Sequence, residues 1–351
     1  MNTINDFITY AVENNASDLH ITTGRPPIVR KNGALQEIDG IEIMKPDTIA
    51  QLIEPIIPKN KAHILEEKGD IDFAYATANC RLRVNIFKQR GSYAVALRLL
   101  ARDIPTLDGL GHPPIIKNLA MLPRGLVLVT GTTGSGKSTT LAALIDYIND
   151  NKQDHIITIE DPIEYLHRHK KSVINQREVN EDTTSFSDAL RAALREDPDI
   201  ILVGEMRDLD TIRAAITAAE TGHLVFSTLH TMGAANTIDR IVDVFPHEQQ
   251  QQVRIQLADA LQGVISQQLL PLSTGKDRVA ALEIMVRTDA IGNLIREGKS
   301  HQIDSFIQTG KELGMQSMDS DLARLVKTNK VNIDIAQRRA IDLKDFKRYL
   351  N

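Results

Sequence analysis

The run GLVLVTGTTGSGKSTTLAALIDYI, residues 125–148, puts an apolar stretch, a glycine-rich turn and a helix-like stretch in immediate succession. That order restricts the chain to folds in which a strand feeds through a tight loop into a helix packed back on the sheet, the building unit of α/β proteins. The loop residues Gly131, Thr132, Thr133, Gly134, Ser135, Gly136, Lys137 and Ser138 match G-x-x-x-x-G-K-[ST]. Glycines let successive N–H groups turn inward around a phosphate chain, and the following helix adds its positive N-terminal end. Lys137 is then placed to reach the β and γ phosphates and Ser138 to ligate Mg²⁺, with Thr139 as a secondary contact. The expected ligands are ATP and Mg²⁺.

Binding phosphate is not hydrolysis, which also needs carboxylates that order metal and activate water. In DPDIILVGEMRD a buried-strand pattern ends at Gly204 and Glu205, the strand end at which open α/β sheets bind ligands. Glu205 is the expected general base. A second acidic strand end, IITIEDPIEY, carries Glu160, Asp161 and Glu164. Carboxylates beside a triphosphate need a cation between them, so Glu160 is expected to order Mg²⁺ or water. The third, LVFSTLHT, has His223 just before it and His230 within it. His230 is expected to sense the γ-phosphate, and His223 to assist in nucleotide binding.

Around this core, 351 residues suffice for two or three domains. Residues 1–103 combine a helix-like start with short β-rich runs such as CRLRVNIFKQ and SYAVALRLL, the pattern of a small α/β domain. DIPTLDGLGHPP, proline- and glycine-rich, predicts a linker over 104–114. From 115 to 286, strand-like and helix-like runs alternate as in a mostly parallel sheet covered on both faces, and 287–351 read as helical. Arg81 and Arg83 alternate with Leu82 and Val84, which by itself predicts only a solvated strand face. Arg195, Arg207 and Arg240 flank the motifs and read as structural or interface residues.

Composition narrows the function. Forty-one basic against 46 acidic residues give −5, and aromatics are 4%, a poor match to a nucleic-acid motor, which needs a basic, aromatic-bearing surface. No nucleic-acid partner is expected. One cysteine, Cys80, suits a reducing compartment. The absence of an 18-residue apolar run and of a basic leader predicts a cytoplasmic protein that reaches membranes only through partners.

Taken together, the glycine loop, the acidic box at Glu160, the strand-end Glu205 and the histidine box resemble, in order, the motifs of the secretion ATPase superfamily. ASDLHITTGRPPIVRKNG near the N-terminus and NLIREGKSHQ, residues 293–302, are most similar to its type IV pilus retraction ATPases. The resemblance implies a PAS-like N-terminal domain, a RecA-like P-loop core, a homohexameric ring and an inner-membrane platform protein of the pilus machine as partner. It implies further that Arg83 and Arg98 contact phosphate, with Arg81 behind them. Two departures stand out. Thr132 replaces the family's proline, and Gly292 stands where the retraction motif carries arginine, which predicts a locally weaker helix. The alternatives are a pilus-assembly or type II secretion ATPase, an accessory retraction ATPase and, outside that class, a nucleotide-gated module that does not hydrolyse.

Overall fold

In RLRVNIFKQ, Leu82, Val84 and Ile86 are buried while Arg83, between them, is exposed, the period-two signature of a strand with one face on a core. The computed structural model describes every residue except 1, 2, 32, 78, 79, 101, 102 and 276. Its contacts divide the chain into two compact units, Met1–Asp103 and Ile104–Asn351.

The first unit is a six-stranded antiparallel sheet of β1 (Asp18–Ile21), β2 (Ile28–Lys31), β3 (Ala34–Glu37), β4 (Asp70–Ala76), β5 (Arg81–Gln89) and β6 (Ser92–Leu99), in the order β3-β2-β1-β6-β5-β4. The helices Ile4–Glu13, Pro46–Ile53 and Ala62–Lys68 belong to the same unit. Phe7 and Ile8 of the first helix join Ile49, Leu19 and Leu97 in one core. That helix starts at a capping box in which the Thr3 hydroxyl accepts the Asp6 N–H and Asp6 accepts the Thr3 N–H, satisfying two otherwise orphaned donors.

The second unit carries a seven-stranded sheet: β7 (Gly125–Thr130), β8 (His155–Glu160), β9 (Val173–Glu178), β10 (Ile200–Val203), β11 (Leu224–Leu229), β12 (Leu261–Pro271) and β13 (Arg278–Val286). The order is β13-β12-β7-β11-β10-β8-β9; all neighbours are parallel except β13, which runs antiparallel to β12 at one edge. β7 is buried throughout: Leu126 and Leu128 face one apolar layer, Val127 and Val129 the other. Burial on both faces explains why parallel strands read as unbroken apolar runs. Because all six parallel strands point the same way, their C-terminal ends share one edge of the sheet.

The segment read as a linker packs on this second unit, with Leu107 and His112 buried. After β13 the chain is helical, over Asp289–Arg296, Ile303–Thr309, Met318–Lys327, Ile333–Gln337 and Leu343–Leu350. Buried carboxylates fasten these helices: Asp321 accepts the Leu282 N–H at 2.9 Å, and Asp319 accepts those of Ile341 and Asp342 at 2.8 and 2.9 Å. Gly292 does not break its helix. It is buried, its nearest neighbour at the position of a Cβ is the Ala258 carbonyl at 3.6 Å, and the arginines Arg287 and Arg296 come within 3.8 and 3.7 Å. Among the described residues, no helix is long and apolar enough to cross a membrane.

Candidate functional site

β7 ends at Thr130, and the loop Gly131–Gly136 delivers the chain into the helix Lys137–Asn151. Gly131 has φ +143, and a Cβ there would stand 2.4 Å from the Gln267 carbonyl and 2.6 Å from the Ser135 hydroxyl. No side chain fits. Gly136 caps the helix with φ +89, a left-handed conformation that glycine adopts without steric cost. Thr132, Thr133 and Gly134 are exposed at the rim, whereas Ser135 is buried with its hydroxyl unpartnered among the described residues.

The Lys137 ammonium folds back on the loop, donating to the carbonyls of Gly131 at 2.9 Å and Thr132 at 3.1 Å. Burial lowers its pKa from the ordinary lysine value, and the charges of Glu205 and Glu164 oppose that shift. Lys137, Ser138, Glu160, Glu164, Glu205 and His230 line one cavity of about 450 Å³. Thr139 lies beside it, its hydroxyl 3.0 Å from that of Tyr165.

Glu205 lies just past β10, and its Oε1 holds two groups at once, His230 Nε2 at 2.9 Å and Arg207 Nε at 2.5 Å. The Glu205 side chain is 17% exposed and Arg207 is 77% exposed, so the carboxylate is sheltered while its cation stands in solvent. Glu160, at the end of β8, accepts from the Thr158 hydroxyl at 2.7 Å and the Gln176 amide at 3.1 Å. Burial pushes its carboxyl up to about 7 against those two hydrogen bonds. The loop, Glu160, Glu205 and His230 thus meet at one sheet edge. His223 does not join them. It precedes β11, its carbonyl accepts the N–H of Gly125 at the start of β7, and its ring bonds the Ala218 carbonyl. Strand direction therefore puts His223 at the opposite edge of the sheet, a correction to its expected place at the nucleotide.

Arg83 and Arg98 belong to the first unit, where they are direct cross-strand partners on β5 and β6. Each has a carboxylate: Asp72 bonds Arg83, and Asp18 Oδ1 accepts from Arg98 Nε at 3.0 Å. Like charges placed opposite each other destabilise a sheet, and the two acids offset this. Burial opposes ionisation of Asp18, yet the Ser17 hydroxyl and Arg98 hold its carboxyl below the usual value.

Mg²⁺ takes one or two protein ligands and completes its shell with phosphate oxygens and water; the Ser138 hydroxyl and the Glu160 carboxyl, both lining the cavity, are oxygen donors of the required kind. Sequence reading assigned no part in the site to Arg207, although it lies only two residues beyond Glu205, or to Gln176, which comes from a strand not visible in the pattern.

A glycine loop between a buried parallel strand and a helix, with carboxylates at neighbouring strand ends, is the architecture of an α/β ATPase of the phosphate-binding-loop class. The model of the family described as "Type II/IV secretion system protein" matches residues 1–347. The chain belongs to that family. It is 50% identical over 338 residues to the type IV pilus retractation ATPase PilT of Pseudomonas aeruginosa, covering 96% of this chain and 98% of that one. It is 49% identical over 315 residues to the twitching motility protein of Neisseria gonorrhoeae, covering 90% and 84%. A crystal structure of the pilus retraction motor PilT with bound ADP superposes with a TM-score of 0.93 at 50% identity, covering 99% of both chains.

Proposed function

We propose that this chain is the ATP-hydrolysing motor that powers type IV pilus retraction and hence twitching motility. It is an ATPase whose loop Gly131–Ser138 and Thr139 hold the nucleotide, with Lys137 on the β and γ phosphates. Glu205 takes a proton from the attacking water, and His230, already bonded to Glu205, orients that carboxylate and reads the γ-phosphate. Ser138 and Glu160 hold Mg²⁺, which would neutralise charge on the phosphate oxygens. Arg83 and Arg98 of a PAS-like first unit serve as phosphate contacts, residues 115–286 form a RecA-like core, and a helical C-terminal region follows it. The working form is a homohexamer in the cytoplasm, bound at the inner membrane through the platform protein of the pilus machine.

The observation that carries hydrolysis is the convergence of Lys137, Glu205 and His230 on one cavity. Retraction is supported by likeness to a retraction ATPase along nearly the whole length of both chains. The test is expression in a host lacking its own retraction ATPase. Restored twitching is expected; full ATPase activity with no twitching would move the chain to a pilus-assembly or secretion role. Turnover measured against protein concentration, beside solution mass, should rise as a six-subunit species forms. A stable monomer with equal turnover would sink the ring.

A further inference from the structure

The phosphate loop is held from behind by a strand that supplies none of its sequence. Gln267 lies on β12 one residue beyond the Ser266–Thr130 pair, next to Gly131. Its Nε2 donates to the Ser135 carbonyl at 2.6 Å, and its Oε1 accepts from the Thr140 hydroxyl at 2.9 Å. The Thr140 oxygen in turn lies 3.1 Å from His112 Nε2. Gln267, Thr140 and His112 are all buried, at 1%, 2% and 8% exposure.

The directions in this relay are fixed by counting protons. A carbonyl only accepts, so the amide nitrogen of Gln267 must face Ser135 and its oxygen must face Thr140. Thr140 spends its one hydrogen on that oxygen, so His112 must donate to Thr140 through Nε2–H. Burial supports the neutral ring this requires, lowering His112 to about 4. Each of these contacts then has one donor and one acceptor, as buried networks demand.

The consequence falls on one peptide plane. In a trans peptide the C=O and the next N–H point in opposite directions. Gln267 holds the Ser135 carbonyl toward β12, which turns the Gly136 N–H away from β12 and toward the open side of the loop. Gly136 approaches so closely that a Cβ there would be 3.1 Å from Gln267 Nε2. We propose that Gln267 is a positioning residue for the phosphate loop, oriented by Thr140, which sets the Ser135–Gly136 peptide so that the Gly136 N–H is presented to phosphate before nucleotide arrives. This rests on the reading that Gly131–Ser138 binds the nucleotide.

Equilibrium binding of ADP with Mg²⁺ to the full-length protein tests it, alongside kcat, KM and the melting temperature without nucleotide. Gln267→Leu removes the donor, and Gln267→Glu sets an acceptor against the Ser135 carbonyl; both are expected to weaken ADP binding at least about fivefold, raising KM more than they lower kcat. Thr140→Val should weaken binding, and Thr140→Ser, which keeps the hydroxyl, should restore it, a distinction that lost packing would not produce. Native ADP affinity in Gln267→Leu, or failure of Thr140→Ser to separate from Thr140→Val, overturns the inference; the threonine pair decides if the Gln267 variants do not fold. Lys137→Ala separates the two layers. If it loses ADP while Gln267→Leu binds normally, only the positioning role falls, and if it binds ADP normally, the loop reading falls and this inference with it.

Discussion

The two sheets place their charged residues in different ways. In the seven-stranded sheet the charges stand at an edge, where parallel strands end together and both faces are sealed by apolar layers. In the six-stranded sheet they stand on a face, where Arg83 and Arg98 occupy neighbouring antiparallel strands at the same level. Strands all pointing one way bring the residues at their C-terminal ends together, so Glu160, Glu205 and His230 meet although they come from three different strand ends. Antiparallel strands gather residues by register instead. The first arrangement surrounds a carboxylate that is only 17% exposed, although His230 beside it is 42% exposed, and the second sets exposed arginines against carboxylates of their own unit.

That contrast can be broken at several points. The largest effect is expected from Glu205→Gln, which keeps the shape of the edge but cannot take a proton: ATP turnover should fall by about 10³ or more with nucleotide affinity retained, and unchanged turnover would strip Glu205 of its role. Arg98→Ala, on the open face, should lower turnover about tenfold or more in the assembled protein while the melting temperature barely moves. Equal loss in stability and activity would make the arginine merely structural.

A third test concerns the buried acid that ties the edge to the C-terminal helices. Glu283 accepts the Ala234 N–H at 2.8 Å, and burial, reinforced by Asp304 and Asp319, pushes its carboxyl up to about 7. Its folded pKa lies above its unfolded value, so the folded protein holds the extra proton. The stabilisation is full below about pH 4.5 and is lost as pH rises through about 7, a change on the order of 3 kcal/mol. Denaturant titrations of native protein and Glu283→Gln across that window should differ in slope; parallel curves would refute the assignment. Gly292→Ala has space for its methyl and should stabilise by about 0.5–1 kcal/mol, read as a small rise in melting temperature. Smallest of all, His223→Ala at the far edge should leave turnover within about twofold, and a large loss there would undo the distinction between the two edges.

Much of the edge was legible because Glu160 and Glu205 stand at the ends of apolar runs and Lys137 closes a glycine-rich motif that begins where another such run stops. Strand direction was overlooked at one point: His223 precedes β11 and His230 comes after it, an order that separates them although both were expected at the nucleotide. β12 was harder to see because Ser266, Gln267 and Gln268 put three polar residues inside a buried strand. Gln267 reaches Ser135 across a separation of 132 residues, which no local pattern encodes. β9 has only partial burial and no apolar run, so the Gln176 contact to Glu160 was hidden with it.

The carboxylates paired with Arg83 and Arg98, one of them the buried Asp18, have a cost that would fall on an incoming phosphate. Asp18 and Asp72 are tethered beside Arg98 and Arg83, so they compete at the high effective concentration of groups already joined to the same chain. A phosphate reaching these arginines trades one anion for another and gains only the difference between the two attractions. Such an exchange is shallow in both directions, so contact forms without becoming a trap. In the role proposed for Arg83 and Arg98 as phosphate contacts, a grip already occupied by its own counter-ions is one that would open easily.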